Sequence, residues 1–257
     1  MTDVWRPDFA APPPFAPFHH WTDRLAGEAW PGLDRLNRLA EAASLANANG
    51  LPLRFARQDR RCGQRDYEAG ILATGQVPTR EDNWHDLFNA LCWLAFPRAK
   101  LALNAVQCAA IEPGRPRGPV SDAATLFDES GLILAGPDPA LGELLAARRW
   151  REAFVARRAA WKQTRAYVIG HAILEKLLVP WPGITAKCLF LPMDADTPEQ
   201  AWRDEVDSRV AEVWQGGGID RPARLFPLPI LGIPGWWPAN EDPGFYTDQT
   251  VFRPARR

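Results

Sequence analysis

Long apolar runs are missing from this chain: no uninterrupted stretch approaches the roughly 20 residues a membrane-spanning helix needs. Met1 to Phe18 carries Asp3, Arg6, Asp8 and several prolines where a basic start and an apolar run would mark a signal peptide. The expectation is a cytoplasmic protein with no membrane partner. Cysteine is sparse. Cys62, Cys92, Cys108 and Cys188 form no C-x-x-C pair, which excludes a zinc ribbon or thioredoxin motif. Cys92 and Cys108 fall in apolar helical patterns and suit small buried hydrophobes. Excess charge of either sign is also lacking: 30 basic residues face 31 acidic ones, for a net charge of -1. That argues against a broad nucleic-acid or membrane-surface footprint and leaves room only for a local basic patch. Neither a repeat period nor a Gly/Ser linker divides the 257 residues, so they are expected to build one domain.

Apolar residues and two punctuating types are abundant. Hydrophobic content of 46% excludes general disorder, and the 12 tryptophans and 25 prolines point to tight helix contacts joined by irregular segments. The expected fold class is α+β: a helix-rich domain (21–257) with a small, mainly antiparallel sheet, a Pro-rich N-terminal arm (1–20) and a C-terminal strap. The arm Ala10–Pro17 should lie extended over the surface. The periodicity predicts a helix over Leu33–Asn47, a strand at Leu51–Ala56, and helices either side of Pro97, the second over Arg98–Ile111. Glu112–Pro119 has loop composition. Ala124–Leu134 is predicted as two short strands around the turn Asp128-Glu129-Ser130-Gly131. Two or three helices follow between Ala140 and Val179, then a strand over Ile184–Leu191. A helix over Pro198–Trp214 ends in Gly216–Gly218, and Leu225–Pro254 forms the strap.

The most informative segment is Arg80 to Pro97, where Asn83-Trp84-His85-Asp86-Leu87-Phe88-Asn89 leads into Cys92 and Trp93. At about 100° per residue, Asp82, His85, Asp86 and Asn89 fall within an arc of roughly 100°, opposite Leu87, Ala90, Leu91, Leu94 and Ala95. An ordinary amphipathic surface helix is the competing account. Against it, Asp, His and Asn are poor helix formers, and no long charged side chain appears between Trp84 and Phe96. The stripe is therefore expected to face a cleft, with Asp82 or Asn83 as the helix N-cap.

Three other places offer partners for that stripe. Tyr167, His171 and Glu175 are spaced i, i+4, i+8 and would share one helix face, although a satisfied core histidine is the plainer account of His171 alone. The adjacent carboxylates Asp128 and Glu129 suit a divalent metal or acid–base work, or equally a tight turn. Lys100 and Asn104 would contact an anionic group or simply face solvent. Gly170 would allow close helix packing. His19 and His20 beside the arm suit surface or packing roles.

Several separated motifs are similar to one family. The run Asn83 to Leu91 with Phe96-Pro97 and Lys100, then Thr125-Leu126-Phe127-Asp128-Glu129-Ser130-Gly131, Gly170-His171-Ala172 with Glu175-Lys176, and the endings Leu231 to Trp236 and Val251 to Pro254 resemble the bacterial domain of unknown function 3025. The resemblance implies a shared fold and carries over no activity.

Function must then come from the residues. The first expectation is a metal-dependent hydrolase acting on a phosphate ester or phosphodiester, with His85, Asp86, His171 and Glu175, together with Asp128 or Glu129, as ligands of a divalent ion. In that reading His85, Asp86, Asn89, His171 and Glu175 are the catalytic set, Asn89 or Lys100 orients the charged, phosphate-containing substrate, and Lys100, Asn104 and Tyr167 are the expected cofactor-binding residues. His85-Asp86 is similar to the metal-binding pair of HD-type phosphohydrolases, whose upstream histidine would have to be His19 or His20. The alternative is a non-catalytic cleft for a small metabolite or RNA, walled by Trp84, Trp93 and Trp161 and served by the basic cluster Arg57, Arg60, Arg61 and Arg65. A third account makes the polar ladders buried networks that hold helix register.

Overall fold

A computed structural model describes residues 3–58, 63–110, 118–198 and 201–255. The fold is α+β. In chain order the α-helices are α1 (His19–Leu25), α2 (Leu33–Ala42), α3 (Gln64–Thr74), α4 (Trp84–Ala95), α5 (Pro97–Ala109), α6 (Pro119–Ser130), α7 (Pro139–Ala146), α8 (His171–Lys176) and α9 (Trp202–Gln215). The strands are β1 (Arg54–Arg57), β2 (Gln76–Thr79), β3 (Gly131–Gly136), β4 (Arg165–Val168), β5 (Thr185–Pro192) and β6 (Phe226–Pro229). No helix among the described residues is long and apolar enough to cross a membrane.

Four strands form one sheet in the order β4-β3-β5-β6, antiparallel at both outer ladders and parallel at the central one. The central β3, Gly-Leu-Ile-Leu-Ala-Gly, is buried along its whole length, as the unbroken apolar run of a covered inner strand requires. β6 is an edge strand and holds the two prolines, Pro227 and Pro229, where missing N–H groups interrupt no inner ladder. β1 and β2 make a separate parallel pair.

At the centre of the helical layer lies α4, every residue of which except His85 is buried. A helix apolar nearly all round must be covered on all sides. α1, α2, α5 and α8 do this, together with the N-terminal arm. The arm was expected to lie extended on the surface. It instead winds into a 3-10 helix over Pro13–Phe18 and joins the core: Phe15 packs on Phe88 with ring centroids 5.6 Å apart, and Phe9 on Trp84 at 5.0 Å. Pro17 blocks a regular α-helix, but the arm's phenylalanines have apolar surface to bury, and that decides its path.

Pro97 is the first residue of α5, where a missing N–H is harmless. Asp207 of α9 accepts from the N–H groups of Arg98 (3.0 Å) and Ala99 (2.8 Å), which fixes the start of the helix that carries Lys100.

Three further sequence expectations need correction. Ala124–Leu134 is not a hairpin: α6 runs through Ser130 and only Gly131 begins a strand. Ala123, Ala124 and Phe127 are the buried face of α6, and Pro119 opens it, so the Asp-x-x-Gly pattern marks a helix end. Nor do Tyr167, His171 and Glu175 share a helix. Residues 165–168 pair with β3 as β4, and α8 starts at His171. The predicted helix over Leu33–Asn47 also stops at Ala42, with Ser44 in the left-handed region. Ile111 and most of the Glu112–Pro119 loop lie outside the described residues.

The junction of α6, β3 and α8 is held by two glycines at van der Waals limits. Gly170 N–H donates to Gly131 O at 2.9 Å, and a Cβ on Gly170 would stand 2.3 Å from Gly131 N. Gly170→Ala therefore has to push two backbones apart, and it is expected to lower Tm by roughly 10 °C, a loss of several kcal/mol. Gly70, inside α3 with open space around its Cα, is the contrast. Gly70→Ala should raise Tm by about 2 °C through helix propensity. Thermal denaturation of the two variants beside the wild type checks both directions, and equal Tm values would sink the close-approach account.

Candidate functional site

The site is assembled from three helix ends. Asn83 is the N-cap of α4: its side chain accepts from Asp86 N–H at 3.1 Å, while Asp82 sits before it with φ of 53°. This start sends His85, Asp86 and, one turn on, Asn89 to one side. The C-terminal end of α6 supplies Asp128 and Glu129, and α8 opens on His171, placed there by the Gly131–Gly170 contact. The two histidine-bearing helices meet, although Tyr167 is not on either of them. The imidazoles of His85 and His171 lie edge to face, with centroids 4.4 Å apart and planes at 79°.

Around these rings is a cleft of about 300 Å³ lined by His85, Asp86, Asn89, Asp128, Glu129 and His171. Tyr67, Glu68 and Arg80 form its other wall. His171 Nε2 is 3.6 Å from Glu129 Oε2, and His171 Nδ1 is 3.9 Å from Asp128 Oδ2. His85 Nδ1 is 3.1 Å from Glu175 Oε2. One ligand atom each from His85, Glu129 and His171 falls within 4.8 Å of the others, a spacing that a single cation can bridge.

The carboxylates divide by partner. Asp86 Oδ2 accepts from Arg80 N–H (2.6 Å) and Nε (2.9 Å), and Oδ1 accepts from Nη2 (2.8 Å), so both oxygens are engaged. Asp128 Oδ1 is paired with the buried Lys100 ammonium. Burial pulls the Lys100 pKa down, but the charge and hydrogen bond of Asp128, together with Cys92 and Glu68, raise it overall. Among the described residues, Glu129 has neither a lysine nor an arginine paired with it. Burial would raise its pKa, yet the His171 and His85 imidazoles and Lys100 together hold it at about 2. Glu68 goes the other way. Burial, helped by the charge of Asp128, pushes it up to about 7 against the hydrogen bond from Asn104 Nδ2 at 2.7 Å.

The sequence-predicted residues thus fall into groups. His85, Asp86, Asn89, Asp128, Glu129 and His171 share the cleft, but Asp86 and Asp128 are occupied by cations and leave Glu129 as the carboxylate open to a ligand. Glu175 stands behind His85, and Lys100 lies beneath Asn89 and Asp128. Asn104 is one layer deeper and meets the cleft only through Glu68. Tyr167 is a correction: it packs edge to face on Phe96 and lines a different groove with Trp161 and Trp236. His19 and His20 do not reach the cleft. Both are exposed, and His19 Nε2 bonds the Ala10 carbonyl at 2.9 Å, which removes the HD-type analogy. Trp84, Trp93 and Trp161 wall no part of the cleft; they are 4%, 2% and 7% exposed in the core. Of the basic cluster, Arg60 and Arg61 lie outside the described residues, and Arg57 pairs with Glu81 at 3.3 Å.

Sequence reasoning missed Tyr67, Glu68 and Arg80. One signal was present: Glu68 lies three residues before Ile71 and shares its buried face on α3. Arg80 had none, because a partner six residues away across a helix cap follows no period.

Glu68 sets a measurable pH dependence. Its pKa is higher in the folded chain than in the unfolded one, so the folded state binds the extra proton. The stability this group contributes is present below about pH 4.5 and is lost as pH rises through about 7. Glu68→Gln mimics the protonated acid. Its Tm should match wild type near pH 4.5 and exceed it by several degrees at pH 8, where ionising Glu68 costs at most about 3 kcal/mol. A Tm gap that does not change between those two pH values would contradict the raised pKa.

Comparison with curated proteins and with solved structures gives no match. One family does match, over residues 53–256, a span that includes every cleft residue named above. The chain belongs to the family described as protein of unknown function (DUF3025).

Proposed function

We propose that the cleft binds one divalent metal ion on His85, Glu129 and His171 and uses it to hydrolyse a phosphate ester or phosphodiester. The observation that carries the reading is the convergence of these three side chains, from three separate helices, to within 4.8 Å. Two imidazoles and one carboxylate are a donor set that suits zinc and other borderline divalent ions, and they leave coordination positions for water and substrate. The 3.6 Å between His171 Nε2 and Glu129 Oε2 is close to the ~3.4 Å that two ligand bonds of about 2.1 Å subtend at a tetrahedral ion.

The surroundings support the same reading. Glu175 hydrogen-bonds Nδ1 of His85 at 3.1 Å, whereas Nδ1 of His171 is buried without a hydrogen-bond partner among the described residues and has Asp128 3.9 Å away. Such an outer carboxylate orients a metal-binding histidine and raises its basicity, and it leaves His85 Nε2 for the ion. The bound ion would bring the pKa of a coordinated water near 7 and so supply hydroxide. Phosphate esters fit the remaining wall, because Arg80 and Tyr67 are hydrogen-bond donors, Asp86 and Asp128 are paired with cations, and burial pushes Glu68 toward its neutral form.

Elemental mass spectrometry on untagged protein, loaded with zinc or manganese and desalted, tests this directly. The wild type should retain about one equivalent, and His85→Ala, His171→Ala and Glu129→Ala should retain almost none. Glu175→Gln should keep the site with ~10- to 100-fold weaker affinity. Hydrolysis of bis(p-nitrophenyl) phosphate should follow metal content across the series. A wild type that keeps no ion under these conditions would end the metal reading and leave a metal-free binding cleft.

A further inference from the structure

Lys100 imposes a direction on the hydrogen bonds beneath the cleft. An ammonium donates and never accepts. Its Nζ is 2.9 Å from Asn89, so the Asn89 carbonyl oxygen must face it, and the Asn89 amide nitrogen must point the other way. That nitrogen donates to the Tyr67 hydroxyl oxygen at 2.9 Å. The phenol is therefore the acceptor in this bond, and its own proton is turned elsewhere. Among the described residues no side chain or carbonyl accepts it. Tyr67 lines both the cleft and the small cavity beneath it, so a ligand oxygen in the cleft would supply the acceptor that this proton lacks.

We infer that Tyr67 is the donor through which the cleft holds a phosphoryl oxygen of its substrate, oriented by the Lys100–Asn89 relay. The inference rests on the phosphoester reading and names the residue that recognises the group. Burial, then the charges of Glu68, Asp128 and Asp86, push the phenol pKa up, so the hydroxyl keeps its proton and stays a donor. Both oxygens of Asp86 are already bound by Arg80, and Oδ1 of Asp128 by Lys100. With Glu129 taken up as a metal ligand in this reading, a donor facing the cleft favours a ligand that brings its own acceptor oxygens. Tyr67 acts on the substrate, whereas Asn89 is a positioning residue that acts through Tyr67.

Two substitutions separate this role from simple packing. Tyr67→Phe removes the proton and keeps the ring. Asn89→Asp puts an acceptor at both ends of the relay, so the phenol proton turns inward to the new carboxylate and away from the cleft. Inorganic phosphate serves as the probe, with its affinity for the metal-loaded protein measured by calorimetry and metal content read on the same samples. Tyr67→Phe should weaken phosphate binding about 10- to 100-fold, as expected for a hydrogen bond to a charged group, with metal content equal to wild type. Asn89→Asp should weaken it by at least as much, and Tyr67→Phe in the Asn89→Asp background should then cost nothing further. If Asn89→Asp acts only by adding negative charge, the two losses multiply and the relay is wrong. Unchanged affinity in Tyr67→Phe, or a wild type that binds metal but no phosphate, overturns the assignment of Tyr67. Absence of metal in the wild type overturns the hydrolase reading instead, so the two failures are told apart.

Discussion

The backbone contact between Gly131 and Gly170 is the constraint on which the site depends. Both residues have ordinary φ angles, so the requirement for glycine is one of space: a Cβ on either would stand 2.3 Å from backbone of the other segment or of α6. Because the end of α6, the start of β3 and the start of α8 are pressed together there, Glu129 and His171 face each other across the junction. α4, covered on every side, then has only one place to present His85. A single close approach therefore sets a three-residue donor group that no one helix could supply.

Charge neutrality inside this cleft is arranged pair by pair. Arg80 covers Asp86 and Lys100 covers Asp128, which leaves Glu129 ionised and open and Glu68 buried and largely protonated below neutral pH. Buried charges without partners would be costly, and here each fixed carboxylate that is not a ligand candidate has a cation or is pushed toward its neutral form. The same lysine gives the network its polarity. One donor-only group at the bottom orients Asn89 and, through it, the hydroxyl of Tyr67.

Much of the fold was legible locally. The helix at Trp84–Ala95, a cap at Asp82 or Asn83, a break at Pro97 with a helix after it, the strand near 185–191 and the glycine-ended helix near 202–215 all follow from periodicity and capping rules, and the structure chooses Asn83 as the cap. Errors came where a tertiary demand overrode a local pattern. Asp128 to Gly131 has the composition of a turn, yet Phe127, Ala124 and Ala123 bury a helical face and carry the helix through it. Tyr167 has helical spacing to His171, yet β3 needs a partner on that edge and takes residues 165–168 as a strand. The arm at Pro13–Phe18 folds inward because its phenylalanines complete the cover of α4.

The sequence by itself determined that His85, Asp86 and Asn89 lie on one side of a helix, that His171 and Glu175 lie one turn apart, and that this chain has little charge bias and no long apolar span. Those are properties of spacing and composition, set within a few residues. Only the tertiary structure decided that the two histidines touch, that Glu129 rather than Asp86 or Asp128 is the open carboxylate, and that Tyr67 and Glu68 belong to the same cleft. His85 and Glu175 are 90 residues apart and meet at 3.1 Å. Such distances depend on how distant backbones pack around Gly131 and Gly170, and no local period encodes them.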